Sequence, residues 1–134
     1  MNINTDEMSK LPIYEHLQDI CSALKKSPSR SLVLTAETGA GKSTAVPVAL
    51  LQNFNGQILM LEPRRIAVLN IAERVSFLLG EKSGKTCGYM MHLENKTSEA
   101  TRFTVLTEAI LTRKIQADPA LEGISVVVLD EFHE

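Results

Sequence analysis

The chain has 134 residues, of which 44% are hydrophobic and 22% are charged, and its formal net charge is −2. This length suits one domain with a single core, and the ordinary composition excludes wholesale disorder. The first dozen residues lack the apolar stretch of a secretory signal, and no run approaches the roughly 20 apolar residues that span a bilayer. The charge balance gives no support to nucleic-acid binding, so specific motifs must carry any such prediction.

Hydrophobic periodicity predicts helices that alternate with strands, which indicates a mostly parallel α/β sheet with helices on both faces. The Ser27-Pro28-Ser29-Arg30 cluster separates the first helix from the first strand, and Gly80 is placed as a helix C-cap. The strands at 57–61 and 125–129 are short apolar runs, typical of strands buried on both faces. The predicted elements are a helix over 13–26, a strand over 32–35, a helix from 45, a strand over 57–61, a helix over 66–79, strands over 85–93 and 101–106 with a polar loop at 94–100, a helix over 107–117 and a strand over 125–129.

Cys21 and Cys87 are isolated, without the spacing of a disulfide framework or a metal site. Each is predicted to be a buried thiol, which favours a reducing compartment and hence a cytoplasmic protein. His133 follows two acidic residues, but no Cys or second His lies close to it in the sequence, so a zinc site is rejected.

The segment Ala36–Thr44 has two glycines, a lysine and a serine between an apolar strand and a helix, the context of a phosphate-binding P-loop. Gly39 and Gly41 let backbone N–H groups turn inward on a phosphate, and the following helix adds its positive N-terminal end. Lys42 would neutralise the charge of the β- and γ-phosphates, and the Ser43 hydroxyl suits Mg²⁺. The first glycine of the usual pattern is replaced by alanine. The predicted nucleotide-binding residues are Thr38, Gly39, Ala40, Gly41, Lys42, Ser43 and Thr44.

Asp130 and Glu131 directly follow the valine-rich strand at 125–129. Acidic residues at a strand end are usually solvated, but the P-loop lysine, Lys42, 88 residues earlier, favours a catalytic pair instead. Both groups would lie at the carboxyl ends of parallel strands, where ligands of such sheets bind. Asp130 would help Ser43 to hold Mg²⁺ through its water shell, and Glu131 would orient and deprotonate the attacking water. The predicted catalytic residues are thus Glu131, Lys42 and Asp130.

Four segments in order resemble the motifs of DEAH-box helicases of superfamily 2. They are Ala36–Thr44 for motif I, Leu61–Ala67 for motif Ia, Thr107–Arg113 for motif Ib and Asp130–His133 for motif II. The phenylalanine in Asp-Glu-Phe-His and the phrase Leu-Glu-Pro-Arg-Arg-Ile-Ala point to the bacterial HrpB-type branch. The resemblance covers nearly all of the chain from residue 11 onward, and implies a RecA-like P-loop NTPase fold with ATP or another NTP and Mg²⁺ as cofactors.

The same resemblance implies that Arg64, Arg65 and Thr107 contact the backbone of single-stranded RNA or DNA. Guanidinium and hydroxyl groups bind phosphate without reading sequence, as a motor on any sequence requires. The alternative is that both arginines are ordinary surface charges at a helix start, an end that disfavours cations. The family also implies that His133 couples the nucleotide site to the rest of the motor.

Members of this family continue past motif II with a Ser-Ala-Thr motif and a second RecA-like lobe that supplies arginine fingers. We therefore expect residues 1–134 to be the N-terminal part of the first lobe, with a helical lead-in at about 12–27, the second lobe absent and the sheet incomplete at its C-terminal end. The expected function is the ATP-binding portion of an ATP-dependent helicase, with RNA favoured over DNA, that is inactive as this piece alone. The alternative is a stand-alone nucleotide-binding or regulatory module without motor activity.

Overall fold

The computed structural model of the chain describes residues 1–37 and 40–131. Its helices are α1 (Thr5–Ser9), α2 (Leu17–Lys26), α3 (Lys42–Asn53), α4 (Arg65–Leu78) and α5 (Glu108–Ala117), with a 3-10 turn at Tyr14–His16. Its strands are β1 (Gln57–Leu61), β2 (Cys87–Met91), β3 (Glu94–Lys96), β4 (Phe103–Leu106) and β5 (Ile124–Leu129). The described strands form one sheet in the order β3-β2-β4-β1-β5, parallel except for the antiparallel hairpin of β2 and β3. The predicted mostly parallel α/β sheet is confirmed.

Two hydrophobic cores lie on opposite faces of this sheet. The alternation of side chains along β1 divides them: Ile58 and Met60 join the larger core, which α1 to α4 cover, whereas Leu59 faces the smaller core. The smaller core contains Ile110 and Leu111 of α5. Helices therefore cover both faces, as the sequence predicts.

The predicted strand at 32–35 is wrong. Residues 31–37 have no regular secondary structure and belong to no strand of the described sheet, and the Val33 side chain is 84% exposed. An apolar run becomes a strand only where a neighbouring strand takes up its backbone hydrogen bonds. In the part of the chain that the structure describes, β5 pairs with β1 alone, and no strand lies on its other side.

The prediction that the strand at 125–129 is buried on both faces is also wrong, because β5 lies at an edge of the described sheet. Val126 and Val128 pack partly against the larger core, whereas Val127 is 40% exposed. The polar loop predicted at 94–100 begins with the short strand β3, and the sequence pattern missed α1, which the Asn4 side chain caps.

The topology brings the ends of three elements together. The backbone N–H of Asp130 donates to the carbonyl of Leu61, 3.1 Å away, so the chain leaving β5 stays beside the end of β1. The N-terminus of α3 lies at this same place, because its Ser43 contacts Asp130.

Cys21 and Cys87 are buried and free, as predicted. Among the described residues, no helix is both long and apolar enough to cross a membrane.

Candidate nucleotide site and nucleic-acid groove

The predicted P-loop leads into α3 through a glycine that has a backbone conformation unfavourable to other residues. Gly41 is the N-cap of α3 with φ of +92°, and a Cβ added there would lie 2.9 Å from Cδ1 of Leu11. The carbonyl of Ala40 accepts a hydrogen bond from the Ile13 N–H at 3.1 Å. The segment that precedes α2 therefore packs against the end of the loop and hydrogen-bonds to it. Thr38 and Gly39 lie outside the described residues.

The closest link between the two predicted halves of the site is a hydrogen bond between side chains 87 residues apart. The Ser43 hydroxyl donates to Oδ2 of Asp130 at 3.1 Å, and both residues are partly buried. Lys42 and Thr44 share the first turn of α3 with Ser43. The first turn of the helix and the end of β5 thus meet at one place, where the free N–H groups and positive end of α3 favour an anion.

The oxygen atoms at this place fit Mg²⁺ bound together with a nucleotide. Hydroxyl and carboxylate oxygens are hard ligands, and Mg²⁺ in nucleotide sites typically keeps waters and takes one or two protein ligands plus phosphate oxygens. Within residues 1–37 and 40–131, no group of three or more His, Cys, Asp and Glu side chains could hold a metal ion. The donor set therefore suits a metal shared with a phosphate ligand better than a closed protein cage.

Glu131, the predicted base, is already paired in this structure. Its Oε1 lies 2.5 Å from Nη2 of Arg64, and its φ is +52°, which a residue with a side chain rarely adopts. The Arg64 side chain is 69% exposed, whereas that of Glu131 is 30% exposed. The sequence predicts a nucleic-acid contact for Arg64, and in the structure its side chain lies against Glu131 of the acidic pair.

A third carboxyl group, which the sequence analysis missed, lies beside these residues. Glu62 follows β1 and is only 1% exposed, and none of the described residues is a hydrogen-bond partner of its Oε1. Burial, with the neighbouring Asp130 as the next cause, raises the pKa of Glu62 to about 8. Nε of Arg64 is 4.0 Å from Oε1 of Glu62. The available signal was its position directly after a buried strand, the same position that Asp130 has after β5.

Arg65 and Thr107 meet at a separate open groove of about 660 Å³. Arg65 also pairs with Glu94, whose Oε1 is 3.2 Å from its Nη2. The groove is lined by Pro63, Arg65, His92, Thr107, Glu108, Ala109, Thr112 and Arg113. Two of the three predicted nucleic-acid residues therefore share one surface, and His92, to which no role is assigned from the sequence, belongs to it. His133 lies outside the described residues.

Comparison with known proteins gives one consistent family. The DEAD/DEAH box helicase family matches residues 15–134. The chain is 49% identical over 129 residues to the ATP-dependent RNA helicase HrpB of Escherichia coli (strain K12), and this match covers 95% of the chain and 16% of that protein. It is 38% identical over 129 residues to the probable ATP-dependent RNA helicase DHR2 of Saccharomyces cerevisiae, covering 92% of the chain and 17% of that protein.

The fold gives the same result. A crystal structure of the Escherichia coli DEAH/RHA helicase HrpB matches with a TM-score of 0.85 and 48% sequence identity, over 92% of this chain and 16% of that chain. A crystal structure described as the DExH-box NTPase HrpB of E. coli matches with a TM-score of 0.86. The chain thus spans about a sixth of the length of these relatives.

Proposed function

Because the chain belongs to the DEAD/DEAH box helicase family, we propose that it forms the ATP-binding part of an ATP-dependent RNA helicase. The observation that carries this proposal is the 3.1 Å hydrogen bond between Ser43 and Asp130. It joins a P-loop hydroxyl to an acidic strand end, the two groups that a nucleotide-bound Mg²⁺ requires. The two relatives are named as an ATP-dependent RNA helicase and a probable one, which supports RNA as the nucleic acid.

Nucleotide binding would use residues 38–44, with the phosphates against the N-terminus of α3. Lys42 would offset the negative charge of the β- and γ-phosphates, and the backbone after Gly41 would donate N–H groups to them. Ser43 and Asp130 would hold Mg²⁺, which when bound neutralises charge on the phosphates. Glu131 would orient a water molecule and accept its proton during hydrolysis.

Nucleic acid would lie along the groove that contains Arg65 and Thr107. Their guanidinium and hydroxyl groups suit phosphate oxygens and do not discriminate between bases. Arg64 is the N-cap of α4, directly before Arg65 of this groove, and its exposed side chain contacts Glu131 of the acidic pair. His133 would couple the two sites, as the family resemblance implies.

We also propose that residues 1–134 are the N-terminal part of a first RecA-like lobe, and that ATP turnover needs a second lobe. The share of the relatives' length that the chain covers, about a sixth, supports this division. Among the described strands, β5 has a neighbour on one side only, and this edge, with the exposed Val33 and Val127, suits further strand pairing. A cytoplasmic location is consistent with the two free, buried thiols.

The direct test is nucleotide binding by the chain itself. Lys42→Ala should abolish the binding of a fluorescent ATP analogue in the presence of Mg²⁺, because the main positive charge facing the phosphates is lost. Lys10→Ala is a matched control, since the described ion pair of Lys10 is with the partly exposed Glu7 of α1. Equal affinities for the wild type and Lys42→Ala would refute the P-loop assignment.

A further inference from the structure

Two adjacent arginines of one helix start have different acidic partners. Arg65 lines the groove and pairs with Glu94 of the β2–β3 hairpin, whereas Arg64 contacts Glu131 at 2.5 Å. Two adjacent residues of the chain therefore contact the groove and the acidic pair, respectively. Arg64 lies in the chain between Pro63 and Arg65, both of which line the groove, whereas its own side chain contacts Glu131.

We propose that Glu131 and a nucleic-acid phosphate compete for the guanidinium of Arg64, so that nucleic-acid binding releases Glu131 to act on the nucleotide. This inference rests on the proposed function, in which Glu131 is the base and the groove holds nucleic acid. In this structure, the ion pair with Arg64 occupies the carboxylate that must accept a proton. When a phosphate takes Arg64, Glu131 regains its basic oxygen.

The contacts of Arg64 suit such an exchange. A guanidinium binds carboxylate and phosphate with the same fork of N–H donors, so the two ligands are chemically equivalent partners. The Arg64 side chain is 69% exposed, and an exposed ion pair is weak enough to be replaced. Oε1 of the buried Glu62 is 4.0 Å from Nε of Arg64, too far for a hydrogen bond, so the described contact that a phosphate must replace is the one with Glu131.

Competition has a reciprocal consequence that can be measured without turnover. If Glu131 holds Arg64 away from the groove, bound nucleic acid weakens the Arg64–Glu131 pair by some factor. Removing the charge of Glu131 must then strengthen nucleic-acid binding by the same factor. An exposed pair of this kind corresponds to a factor of about 1.5 to 5. The effect must also vanish when Arg64 is absent, because the contact then does not exist.

The first arm of the experiment is a double-mutant cycle on the full-length product of the gene that contains this chain. The affinity for a fluorescein-labelled oligouridylate is measured by anisotropy without nucleotide or Mg²⁺. We expect Glu131→Gln to tighten binding about 1.5- to 5-fold, and to have no effect in an Arg64→Ala background. If Glu131→Gln tightened RNA binding equally with and without Arg64, the cause would be a general loss of negative charge, and the proposal would be overturned. It would also be overturned if Glu131→Gln tightened binding in neither background.

The second arm is ATP turnover with and without saturating oligouridylate. Arg64→Ala should raise the rate without RNA about 1.5- to 5-fold and shrink the stimulation by RNA by the same factor. The rate of Arg64→Lys without RNA should lie between those of the wild type and Arg64→Ala, because lysine keeps the charge but lacks the fork of N–H donors. A lower rate without RNA would mean that Arg64 positions Glu131 productively, and an unchanged rate would make it a nucleic-acid ligand only. Either result overturns the proposal.

Controls separate this proposal from the function on which it rests. Lys10→Ala, which breaks an exposed ion pair of α1, should leave turnover unchanged. Glu131→Gln should lose turnover in the absence and presence of RNA. If Glu131→Gln hydrolysed ATP at the wild-type rate, the assignment of Glu131 as the base would fail. If Glu131→Gln lost turnover but Arg64→Ala kept the wild-type rate, only the exchange of partners would be refuted.

Discussion

Glu62 should make the stability of the chain depend on pH in a way that one isosteric substitution removes. The carboxyl is 1% exposed beside Asp130, and its pKa is raised from the ordinary 4.5 to about 8. A raised pKa means that the folded chain holds a proton which the unfolded chain has released at neutral pH. The stability linked to Glu62 is therefore fully present below pH 4.5 and is lost as the pH rises toward 8.

The size of this loss follows from the two pKa values. Each unit of difference is worth about 1.4 kcal/mol, so Glu62 should cost the folded chain about 3 kcal/mol between pH 4 and pH 7. Glu62→Gln cannot ionise, so its free energy of unfolding should lack this decline. The quantity to compare is the difference between the two proteins at each pH, because other carboxyl groups contribute to both curves and cancel.

Urea unfolding followed by circular dichroism at several pH values between 4 and 8 measures this difference. The Glu62→Gln variant should gain about 3 kcal/mol on the wild type as the pH rises from 4 to 7. Glu99→Gln, in an exposed turn, controls for the loss of one carboxyl group elsewhere. Parallel curves for the wild type and Glu62→Gln across the whole range would refute the reasoning that burial keeps this carboxyl protonated.

Three further results are expected. Arg102→Ala should lower the free energy of unfolding by about 2 kcal/mol in the same urea assay, because its guanidinium donates to three backbone carbonyls at and after the end of α3; an unchanged midpoint would show that solvent replaces these bonds without cost. Gly41→Ala should weaken nucleotide binding in a fluorescence titration, because φ of +92° and the contact with Leu11 leave no room for a Cβ, and wild-type affinity would contradict this. Glu131→Gln in the full-length protein should keep nucleotide binding but cut hydrolysis by about two to four orders of magnitude; a normal rate in a phosphate-release assay would place the base elsewhere.

The local sequence pattern was sufficient to predict the elements whose signal lies within a short segment. The apolar run at 57–61 forms β1 with the predicted bounds, and the apolar stripe at 66–79 forms α4, displaced by one residue at each end. The family resemblance drawn from four motifs is confirmed by the DEAD/DEAH match and by 49% identity to the E. coli helicase HrpB. These signals are contained within short segments, so the sequence displays them directly.

The failures concern properties that depend on distant parts of the chain. The run at 32–35 has the composition of a strand, but strand formation requires a partner, and the described sheet offers none there. Glu62 is a single acid after a strand in the sequence, and its burial and its nearness to Asp130 arise only from the packing of distant segments. The pairing of Arg64 with Glu131 joins residues 67 apart, which no local pattern predicts.

The central claim is that Ser43 and Asp130 form the metal-binding part of a nucleotide site. Electron paramagnetic resonance of Mn²⁺, used in place of Mg²⁺, measures this directly on the chain with a non-hydrolysable ATP analogue. We predict that Mn²⁺ is immobilised only when the analogue is present, and that Ser43→Ala and Asp130→Asn each weaken its binding, whereas Ser9→Ala in α1 does not. Nucleotide-dependent Mn²⁺ binding that is equal in the wild type and in both site variants would contradict the claim.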